Sequence, residues 1–441
     1  LIEKQIKLNG LETSHLEISD QTIYHIIQKY TREAGVRELE RQISSCCRKA
    51  VVELLKNKDT KSIKLDVDKV KEYLGKEKFD YTKKNTMETT LGIIEGFYGK
   101  PYLPQSRKTL ISLLSKKDYS YYIYAPKNDD SLRKNWKRSF NKDELLFLKD
   151  IKKHCQKHHL QFGVGLSPLK ITEDLDNLLP CLQEKIDCLI DELQIDILAI
   201  LFDDIKLYSP KEGYLQNLIV RTIYQSILKK KKAIRLIFCP TYYSFDPILE
   251  KIFGARPDSY FEDITKDLDE SIEIFWTGNK VVSKEITKED IQKTNSLFKR
   301  KVTLWDNYPV NDGKNLCDKL FTKPFYNRDN LDGIVKSHAI NPMCECLLSY
   351  IAAATLYLVY KHQPLIQIEK ARLDAIDELF EGKSALLVKY FDSLNDEGKS
   401  KLEDTKKADL LKILSSIDTI ARREVVAYLN DYFKFDPSCL T

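Results

Sequence analysis

The segment ILAILFDDIK, residues 197–206, joins six apolar residues to two adjacent aspartates. An apolar run of this length is typical of a buried strand, and the aspartates stand where the strand should end. An aspartate in this position often caps the following helix, so the segment alone does not define a functional site. The ends of the other strands decide between a structural and a functional role for Asp203 and Asp204.

Seven further segments repeat this pattern of a short apolar run followed by an amphipathic helix. The eight predicted strands are TLGIIEGF (90–97), YSYYIYAP (119–126), QFGVGLSP (161–168), ILAILFDD (197–204), AIRLIFCP (233–240), IEIFWTG (272–278), VTLWDNYP (302–309) and GIVKSHA (333–339). Alternating βα units predict a parallel sheet. Eight units over about 250 residues predict a (β/α)8 TIM barrel, which we place at residues 90–360.

The active site of such a barrel lies at the carboxyl ends of its strands. In this sequence those ends carry polar and aromatic residues: Gly96, Lys127, Asp203, Asp204, Tyr243, Trp276, Trp305, Asn307, Asp312 and Asn341. A structural explanation needs a separate reason for each residue, whereas one shared pocket explains them together. We therefore predict that these residues line a single pocket.

The composition of this pocket favours a sugar ligand. Aromatic rings suit the apolar faces of a sugar, and Asp, Asn and Lys side chains suit its hydroxyl groups. The sequence has no phosphate loop or cofactor motif, so we expect no cofactor. Glycosidases commonly need two carboxyl groups near one bond. Because adjacent strand residues point to opposite faces, Asp203 and Asp204 can serve one pocket only where the backbone turns.

Six motifs occur in order along the barrel segment: GIIEGFYGKPY, YYIYAPKNDD, LFDDI, FWTG with VVS, LWDNYPVND and NPM. Together they closely resemble the β-N-acetylglucosaminidase family that includes protein O-GlcNAcases and bacterial enzymes once called hyaluronidases (glycoside hydrolase family 84). The resemblance covers about residues 90–360. It implies a retaining hydrolase that removes β-linked N-acetylglucosamine (GlcNAc) from a glycoprotein or glycan. In this family the sugar's own 2-acetamido oxygen attacks C1 and forms an oxazoline, an exception to two-carboxylate catalysis.

The resemblance also implies individual roles. Asp203 would hold the acetamido N–H and stabilise the developing charge, and Asp204 would act as general acid and then as general base. Tyr243 would donate to the acetamido oxygen, with Trp305 and Asn307 forming the wall of the acetamido pocket. The sugar hydroxyls would be bound by the Gly96 backbone and by the side chains of Lys127, Asp312 and Asn341.

The sequence departs from the family pattern at the rim of the pocket. SPLK at 167–170 stands where SPG is usual, Tyr242 replaces an acidic residue, and the loop KLYSPKEG at 206–213 is short. These departures leave the aglycone open among a glycosylated protein, a hyaluronan fragment and another glycan.

Residues 1–85 predict a separate helical unit. ISDQTIYHIIQKYTREAG starts with a cap at Asp20, GVRELERQISSCCRKAVVELLK forms a longer helix, and a short strand and a third helix end at Gly75. YTREAGVRELERQIS with CRKAV, followed by YLGKEKFDY, resembles the small helical lid of the AAA+ ATPase module in Lon-type proteases. That resemblance implies that Arg37 reaches the phosphates of a nucleotide.

The rest of an ATP-dependent protease is not found in the sequence. No G-x-x-x-x-G-K-[ST] loop occurs, and no protease domain follows the lid, so ATP is not an expected partner. The alternative interpretation is a fragment of a Lon-type protease fused to a GlcNAc-binding barrel without hydrolytic activity. Met87, at the end of the polar segment 80–90, is an expected ancestral or alternative start. Residues 361–441 predict a helical region, which we expect to be truncated.

Composition argues against several other functions. A net charge of +5 from 71 basic and 66 acidic residues does not favour nucleic acid or a membrane surface as partner. No apolar run reaches the length of a membrane span. The ten cysteines lack a C-x-x-C pair and predict buried thiols in the cytoplasm. HCQKHH at 154–159 closes a lysine-rich helix, so we expect exposed histidines there and no metal site.

Overall fold

The computed structural model describes residues 1–31, 37–57, 59–77, 87–206 and 209–435. The chain divides into two compact units, Leu1–Thr86 with Lys361–Lys370 and Met87–Tyr360 with Ala371–Thr441. Most of the segment 80–90, where the two predicted domains join, lies outside the described residues.

Helices make up most of the regular structure. They are α1 Ile2–Leu8, α2 Asp20–Tyr30, α3 Arg37–Lys56, α4 Val67–Leu74, α5 Pro104–Leu114, α6 Lys142–Lys157, α7 Leu175–Asp191, α8 Glu212–Lys229, α9 Ile248–Phe253, α10 Tyr260–Thr265, α11 Lys288–Phe298, α12 Ser349–Tyr360, α13 Leu365–Leu379, α14 Ser384–Asp396, α15 Asp404–Ser415 and α16 Ile420–Leu429. The strands are β1 Leu16–Ile18, β2 Ile63–Leu65, β3 Thr90–Glu95, β4 Tyr119–Tyr124, β5 Gln161–Leu166, β6 Ile197–Leu201, β7 Arg235–Cys239, β8 Glu273–Trp276, β9 Thr303–Asp306 and β10 Ser337–Ile340.

The N-terminal unit packs α1 to α4 with a two-stranded parallel sheet, in which β1 pairs with β2. Its core contains Ile26, Ile43 and Val70, all fully buried. The cap of α2 is Ser19, whose hydroxyl accepts from the Thr22 N–H at 3.2 Å. The predicted cap, Asp20, is instead the first helical residue, because the serine hydroxyl satisfies the free N–H groups of the first turn.

The second unit contains the predicted (β/α)8 barrel. Strands β3 to β10 follow one another around a closed parallel barrel, and β10 pairs with β3 to complete it. All eight predicted strands are present, which confirms the fold class. The last strand begins at Ser337 rather than at residue 333. Gly333 has a φ of +68°, and the Leu331 carbonyl accepts from the Ile334 and Val335 N–H groups, so a turn precedes the strand.

The amino-terminal end of the barrel is filled by side chains. Arg235 donates to both carboxylate oxygens of Glu273, at 2.6 and 2.7 Å, and its guanidinium lies 4.6 Å from the Tyr121 ring centroid. The ring of Tyr121 leaves no room at Gly92, where a Cβ would come within 2.1 Å of it. Arg235, Glu273 and Tyr121 therefore fill the barrel interior at this end.

Helices α14 to α16 belong to the same compact unit as the barrel. Their buried residues include Phe391 on α14, Leu414 on α15 and Val425 on α16. No helix in the described part of the chain is both long and apolar enough to cross a membrane. The helical region after the barrel is thus part of the second compact unit and contributes buried apolar side chains to it.

A buried ion pair links the first barrel strand to the first barrel helix. Arg107 on α5 donates to the two oxygens of Glu95 at 2.8 and 2.7 Å, and Tyr122 donates to the same carboxylate. Both charged side chains are essentially inaccessible to water. Each buried charge is therefore stabilised by the opposite charge of its partner.

We predict that Glu95→Gln lowers the free energy of unfolding of the barrel by about 3–5 kcal/mol, because the Arg107 guanidinium then lies buried without a counter-charge. Urea unfolding measures the loss. Asp418→Asn is the control, since it breaks the exposed ion pair with Arg423 and should leave the midpoint unchanged. Equal effects of the two substitutions would contradict the assigned importance of the buried pair.

Candidate active site

The two aspartates of the opening segment lie just beyond the end of β6. The Phe202 N–H still donates to the Cys239 carbonyl at 2.8 Å, and the chain then turns. Asp204 has a φ of +58°, in the left-handed region that few residues other than glycine adopt, although Asp is enriched there. This turn interrupts the alternation of the strand. Asp203 and Asp204 consequently lie close enough to influence each other's charge and that of Tyr98 and Tyr243.

Asp203 is buried and forms an ion pair with Lys127, which follows β4. Lys127 donates to Oδ2, whereas the buried Oδ1 has no hydrogen-bond partner in the described part of the chain. Burial raises the pKa of Asp203, the Lys127 ammonium opposes that rise, and the neighbouring Asp204 carboxylate adds to it. An acceptor oxygen is thus held in the interior with no donor, which is costly unless a ligand supplies one.

Asp204 is held by two phenols. Tyr98 donates to Oδ2 at 2.9 Å, and Tyr243 donates to Oδ1 at 3.1 Å. Burial, reinforced by the Asp204 carboxylate, raises the pKa of both tyrosines well above its ordinary value. Both phenols therefore remain protonated donors at neutral pH and fix the orientation of the carboxyl group.

Trp305 and two asparagines form a third part of the site. The Trp305 Nε1–H donates to Asn307 Oδ1 at 3.1 Å, and Asn341 Nδ2 donates to the same oxygen at 2.9 Å. Asn307 in turn donates to the Val281 carbonyl at 2.8 Å. The remaining Asn341 Oδ1 is buried and has no partner among the residues that the structure describes. It is the second buried acceptor in this region without a donor.

Gly96 and Asp312 complete the set. A Cβ on Gly96 would lie 2.4 Å from Trp305 Cζ2, so only glycine lets the indole pack against this backbone. The Asp312 carboxylate accepts from the Tyr98 N–H at 2.7 Å. Burial raises the pKa of Asp312 to about 6, with the nearby Asp204 carboxylate adding to the effect.

A buried polar cluster beneath the site holds β9 and β10 together. Arg328 donates to both oxygens of Asp306, at 2.8 and 3.0 Å, and His338 Nε2 lies 3.1 Å from Oδ2. Burial alone would raise the pKa of Asp306, but these partners outweigh it and lower the pKa to about 2. The charged cluster supports the strand that carries Trp305 and Asn307.

Most of the sequence-predicted residues come together through direct contacts. Lys127 joins Asp203 to the Trp305 ring, whose centroid lies 5.6 Å from the lysine nitrogen. Trp276 is an exception among the strand-end residues. It packs edge-on against Phe261 and Phe298, which lie on barrel helices, so it belongs to the hydrophobic core outside the strands.

Sequence reasoning missed Tyr98, which contacts both Asp204 and Asp312. A signal was available, since Tyr98 lies in the motif EGFYG two residues after Gly96. At the rim, Tyr242 is buried and donates to the Gly254 carbonyl at 2.6 Å, so its side chain is engaged in packing.

Arg37, the predicted nucleotide ligand, is the exposed first residue of α3 in the N-terminal unit. The expectation of exposed histidines at 154–159 holds for His159 only, because His154 and His158 are half-buried against α5. Ser112 Oγ lies 3.0 Å from His154 Nε2 and 2.9 Å from His158 Nε2. In the described ranges, no three His, Cys, Asp or Glu side chains are grouped closely enough to hold a metal ion.

The fold and the site together define a (β/α)8-barrel protein whose strand ends bring together an adjacent carboxylate pair, an indole and carboxamides. Comparison with known proteins agrees with this class. Residues 91–392 match the family model described as beta-N-acetylglucosaminidase, and the chain belongs to that family.

Individual relatives support the family assignment. Protein O-GlcNAcase of Rattus norvegicus is 31% identical over 280 residues, which cover 61% of this chain and 30% of that protein. The structure of an O-GlcNAc hydrolase mutant from Thermobaculum terrenum aligns with a TM-score of 0.66 and 25% identity, covering 80% of this chain and 82% of that one. The chain thus spans less than a third of the length of the curated O-GlcNAcase it matches.

The N-terminal unit has a different relationship. Residues 7–63 match the Lon protease AAA+ ATPase lid domain. Lon protease of Vibrio parahaemolyticus is 54% identical over 83 residues, which cover 19% of this chain and 11% of that protease. The match is therefore confined to the lid, as the sequence motifs predict.

We predict that Gly96→Ala destabilises the protein by about 1–3 kcal/mol and displaces Trp305, because the new methyl group would overlap the indole. Urea unfolding measures the first effect, and near-ultraviolet circular dichroism reports the second. Gly313→Ala is the control, since its Cβ would meet the nearest neighbouring atom only at 3.5 Å. An unchanged tryptophan spectrum in a folded Gly96→Ala protein would show that the site tolerates a side chain here.

Proposed function

We propose that the barrel is a retaining glycoside hydrolase that removes β-linked N-acetylglucosamine through an oxazoline intermediate. The observation that carries the proposal is the buried, unpartnered Oδ1 of Asp203, held beside Asp204 at the carboxyl end of β6. An acetamido N–H is a donor of the kind that this oxygen lacks. Membership of the β-N-acetylglucosaminidase family supports the same chemistry.

Asp203 would act on the nucleophile. Burial raises the pKa of Asp203, the Lys127 ammonium favours its charged form against that effect, and the free oxygen can accept the acetamido N–H. That hydrogen bond orients the acetamido oxygen toward C1. It also stabilises the positive charge that spreads over the acetamido group as the oxazoline forms, because the site is already charged and needs little reorganisation.

Asp204 would act on the leaving group. As general acid it protonates the glycosidic oxygen when the C1–O bond breaks, and as general base it then takes a proton from the water that opens the oxazoline. Tyr98 and Tyr243 hold its carboxyl group in one orientation. We infer that Tyr243 turns its hydroxyl from Asp204 to the acetamido oxygen when substrate binds.

The other residues would bind the sugar. Trp305 and Asn307 offer an apolar face and a carboxamide for the acetamido group. The unpartnered Asn341 Oδ1 is suited to accept from a sugar hydroxyl, as is the Asp312 carboxylate, while Lys127 can donate to one. The Gly96 backbone lies beside the Trp305 ring. This mechanism uses the substrate and the side chains alone, without a cofactor.

The substrate class that we propose is a glycoprotein or glycan bearing terminal β-GlcNAc. The O-GlcNAc hydrolases among the relatives support a protein-linked sugar. We also propose a cytoplasmic location, supported by the described cysteines, which are free thiols and mostly buried. The alternative, a barrel that binds GlcNAc without cleaving it, would bind a chromogenic N-acetylglucosaminide and release no product.

The two aspartates should fail in different ways when mutated. We predict that Asp204→Asn loses about a hundred- to ten-thousand-fold in kcat/KM on alkyl glycosides, whose leaving groups need a proton, and far less on aryl glycosides. Asp203→Asn should lose activity to a similar extent on both, because it weakens the nucleophile. The measurement is the slope of log kcat/KM against leaving-group pKa. Equal slopes would contradict the assignment, and a steeper slope for Asp203→Asn would reverse the two roles.

Removal of residues 1–86 tests the contribution of the lid-like unit. We predict that kcat/KM on an aryl N-acetylglucosaminide stays within about twofold of the intact chain, since every proposed catalytic and sugar-binding residue lies after Met87. ATP should not change the rate of either protein. Asp203→Asn in the shortened chain supplies the low-activity control, since its predicted loss does not depend on the leaving group. A folded but inactive shortened protein would mean that the N-terminal residues take part in the reaction.

A further inference from the structure

The loop that carries Asp312 is held by the C-terminal helices. The Leu320 N–H donates to the Leu394 carbonyl of α14 at 3.2 Å, and Asn395 Oδ1 accepts from the Thr322 N–H at 3.0 Å. Further along, the Lys399 N–H donates to the Asp318 carbonyl at 2.8 Å. These bonds fix the middle of the segment between β9 and β10 to the C-terminal helical region.

The loop that carries Asn341 is capped by α16. Glu424 Oε2 accepts from the Leu347 N–H at 2.7 Å and from the Leu348 N–H at 3.3 Å. These two residues lie in the turn just before α12. Glu424 is 8% exposed, so its carboxyl group bonds to this turn and has little access to water.

A second buried carboxyl group joins the two loops. Glu345 is 0% exposed, and its Oε2 accepts from Asn311 Nδ2 at 2.8 Å. Asn311 also accepts from the Cys344 N–H at 3.0 Å through Oδ1. Asn311 precedes Asp312 directly, and Glu345 lies four residues after Asn341. Glu345 Oε1 has no hydrogen-bond partner within the described ranges.

The two carboxyl groups share an enclosed environment. Burial raises the pKa of Glu345 to about 7, against the opposing influence of Asn311 and Lys399. Burial also raises the pKa of Glu424 to about 8, with Glu345 adding to the rise and the Leu347 and Leu348 N–H groups and Ser106 opposing it. Among the described residues, Tyr428 interacts with Glu345 and Cys346 interacts with Glu424.

We propose that Glu345 and Glu424 are positioning residues for sugar binding, because they hold the chain segments that carry Asp312 and Asn341. Through them, α16 supports the pocket although it contributes no residue to it. The inference rests on the proposed function, in which Asp312 and Asn341 bind sugar hydroxyls. It adds that the helical region after residue 393 is needed for that binding.

Removing either glutamate should raise KM more than it lowers kcat. Contacts to sugar hydroxyls exist in both the ground state and the transition state, so loosening them weakens binding of both and leaves kcat little changed. The neutral carboxyl groups are compatible with the network, whereas two buried charges would repel each other. Binding should therefore weaken as pH rises through about 7 to 8, where Glu345 and Glu424 ionise in the folded protein.

The experiment compares Leu and Gln substitutions at both positions in the full chain, assayed on an aryl N-acetylglucosaminide. We expect Glu345→Leu and Glu424→Leu to raise KM about tenfold with kcat reduced less than about threefold, because Leu cannot accept a hydrogen bond. Glu345→Gln and Glu424→Gln keep a hydrogen-bond acceptor, so their KM should stay close to that of the natural protein. We expect KM of the natural protein to rise between pH 7 and 9, and the double Gln variant should lose that rise. Val425→Ala, a core truncation in the same turn of α16, is the control and should leave KM unchanged.

Several outcomes would overturn the proposal. An unchanged KM in a folded Leu variant would do so, as would a loss confined to kcat, or a KM rise in Val425→Ala equal to that in Glu424→Leu. If a Leu variant does not fold, the pH profile of the double Gln variant decides, and a profile identical to that of the natural protein overturns the proposal. A natural protein without hydrolytic activity would refute the proposed function instead, and the positioning role would then be tested by GlcNAc affinity in the same variants.

Discussion

The buried ion pair between Lys127 and Asp203 is the interaction on which the site depends. A carboxylate at 5% exposure would ordinarily take up a proton, and the lysine ammonium is the nearby charge that opposes this. The pair joins the end of β4 to the end of β6 across the strand between them. Because Lys127 occupies only one oxygen, the other remains an acceptor directed into the interior. Substrate recognition, in our proposal, begins with that unfilled acceptor.

The rest of the barrel maintains this arrangement by placing charge only where it is compensated. Arg235 with Glu273 fills the amino-terminal end, and Arg328 with Asp306 lies beneath Trp305 and Asn307. Breaking such a pair leaves an isolated charge in the interior, which costs more than the pair contributes. Substitution of either member of such a pair should therefore disturb the strand ends that it holds. In our proposal Asp203 and Asp204 differ from these pairs, because Asp203 has an oxygen free for the substrate and Tyr243 can turn from Asp204 to the substrate.

The fold and most of the site could be predicted from the sequence because both follow from short-range patterns. Eight apolar runs identify the strands, and the residues after them must gather at one end of a parallel barrel. Trp276 shows that the position of a residue at a strand end is not sufficient, because the alternation of side chains along the strand must also be considered. Phe275 packs on Trp305, at 5.2 Å between centroids, so by strand alternation the next residue points outward. Tyr98 lies beyond the reach of such rules, since the path of the chain between β3 and α5 determines its direction.

The contribution of the C-terminal helices could not be predicted, because it depends on contacts between residues that lie far apart in the sequence. Glu424 follows Leu347 by 77 residues, and no periodicity links them. The effect of the Glu424 carboxyl group on the free energy of unfolding nevertheless suggests why this residue is present. A carboxyl group with a pKa of about 8 in the folded protein and an ordinary value when unfolded reduces stability by about 3 kcal/mol at pH 7, since the unfolded chain releases its proton from about pH 4.5 upward. An apolar residue would avoid this cost but would leave the Leu347 and Leu348 N–H groups without an acceptor. We infer that this destabilisation accompanies the fixing of the turn at Leu347 and Leu348, which follows Asn341 in the same loop.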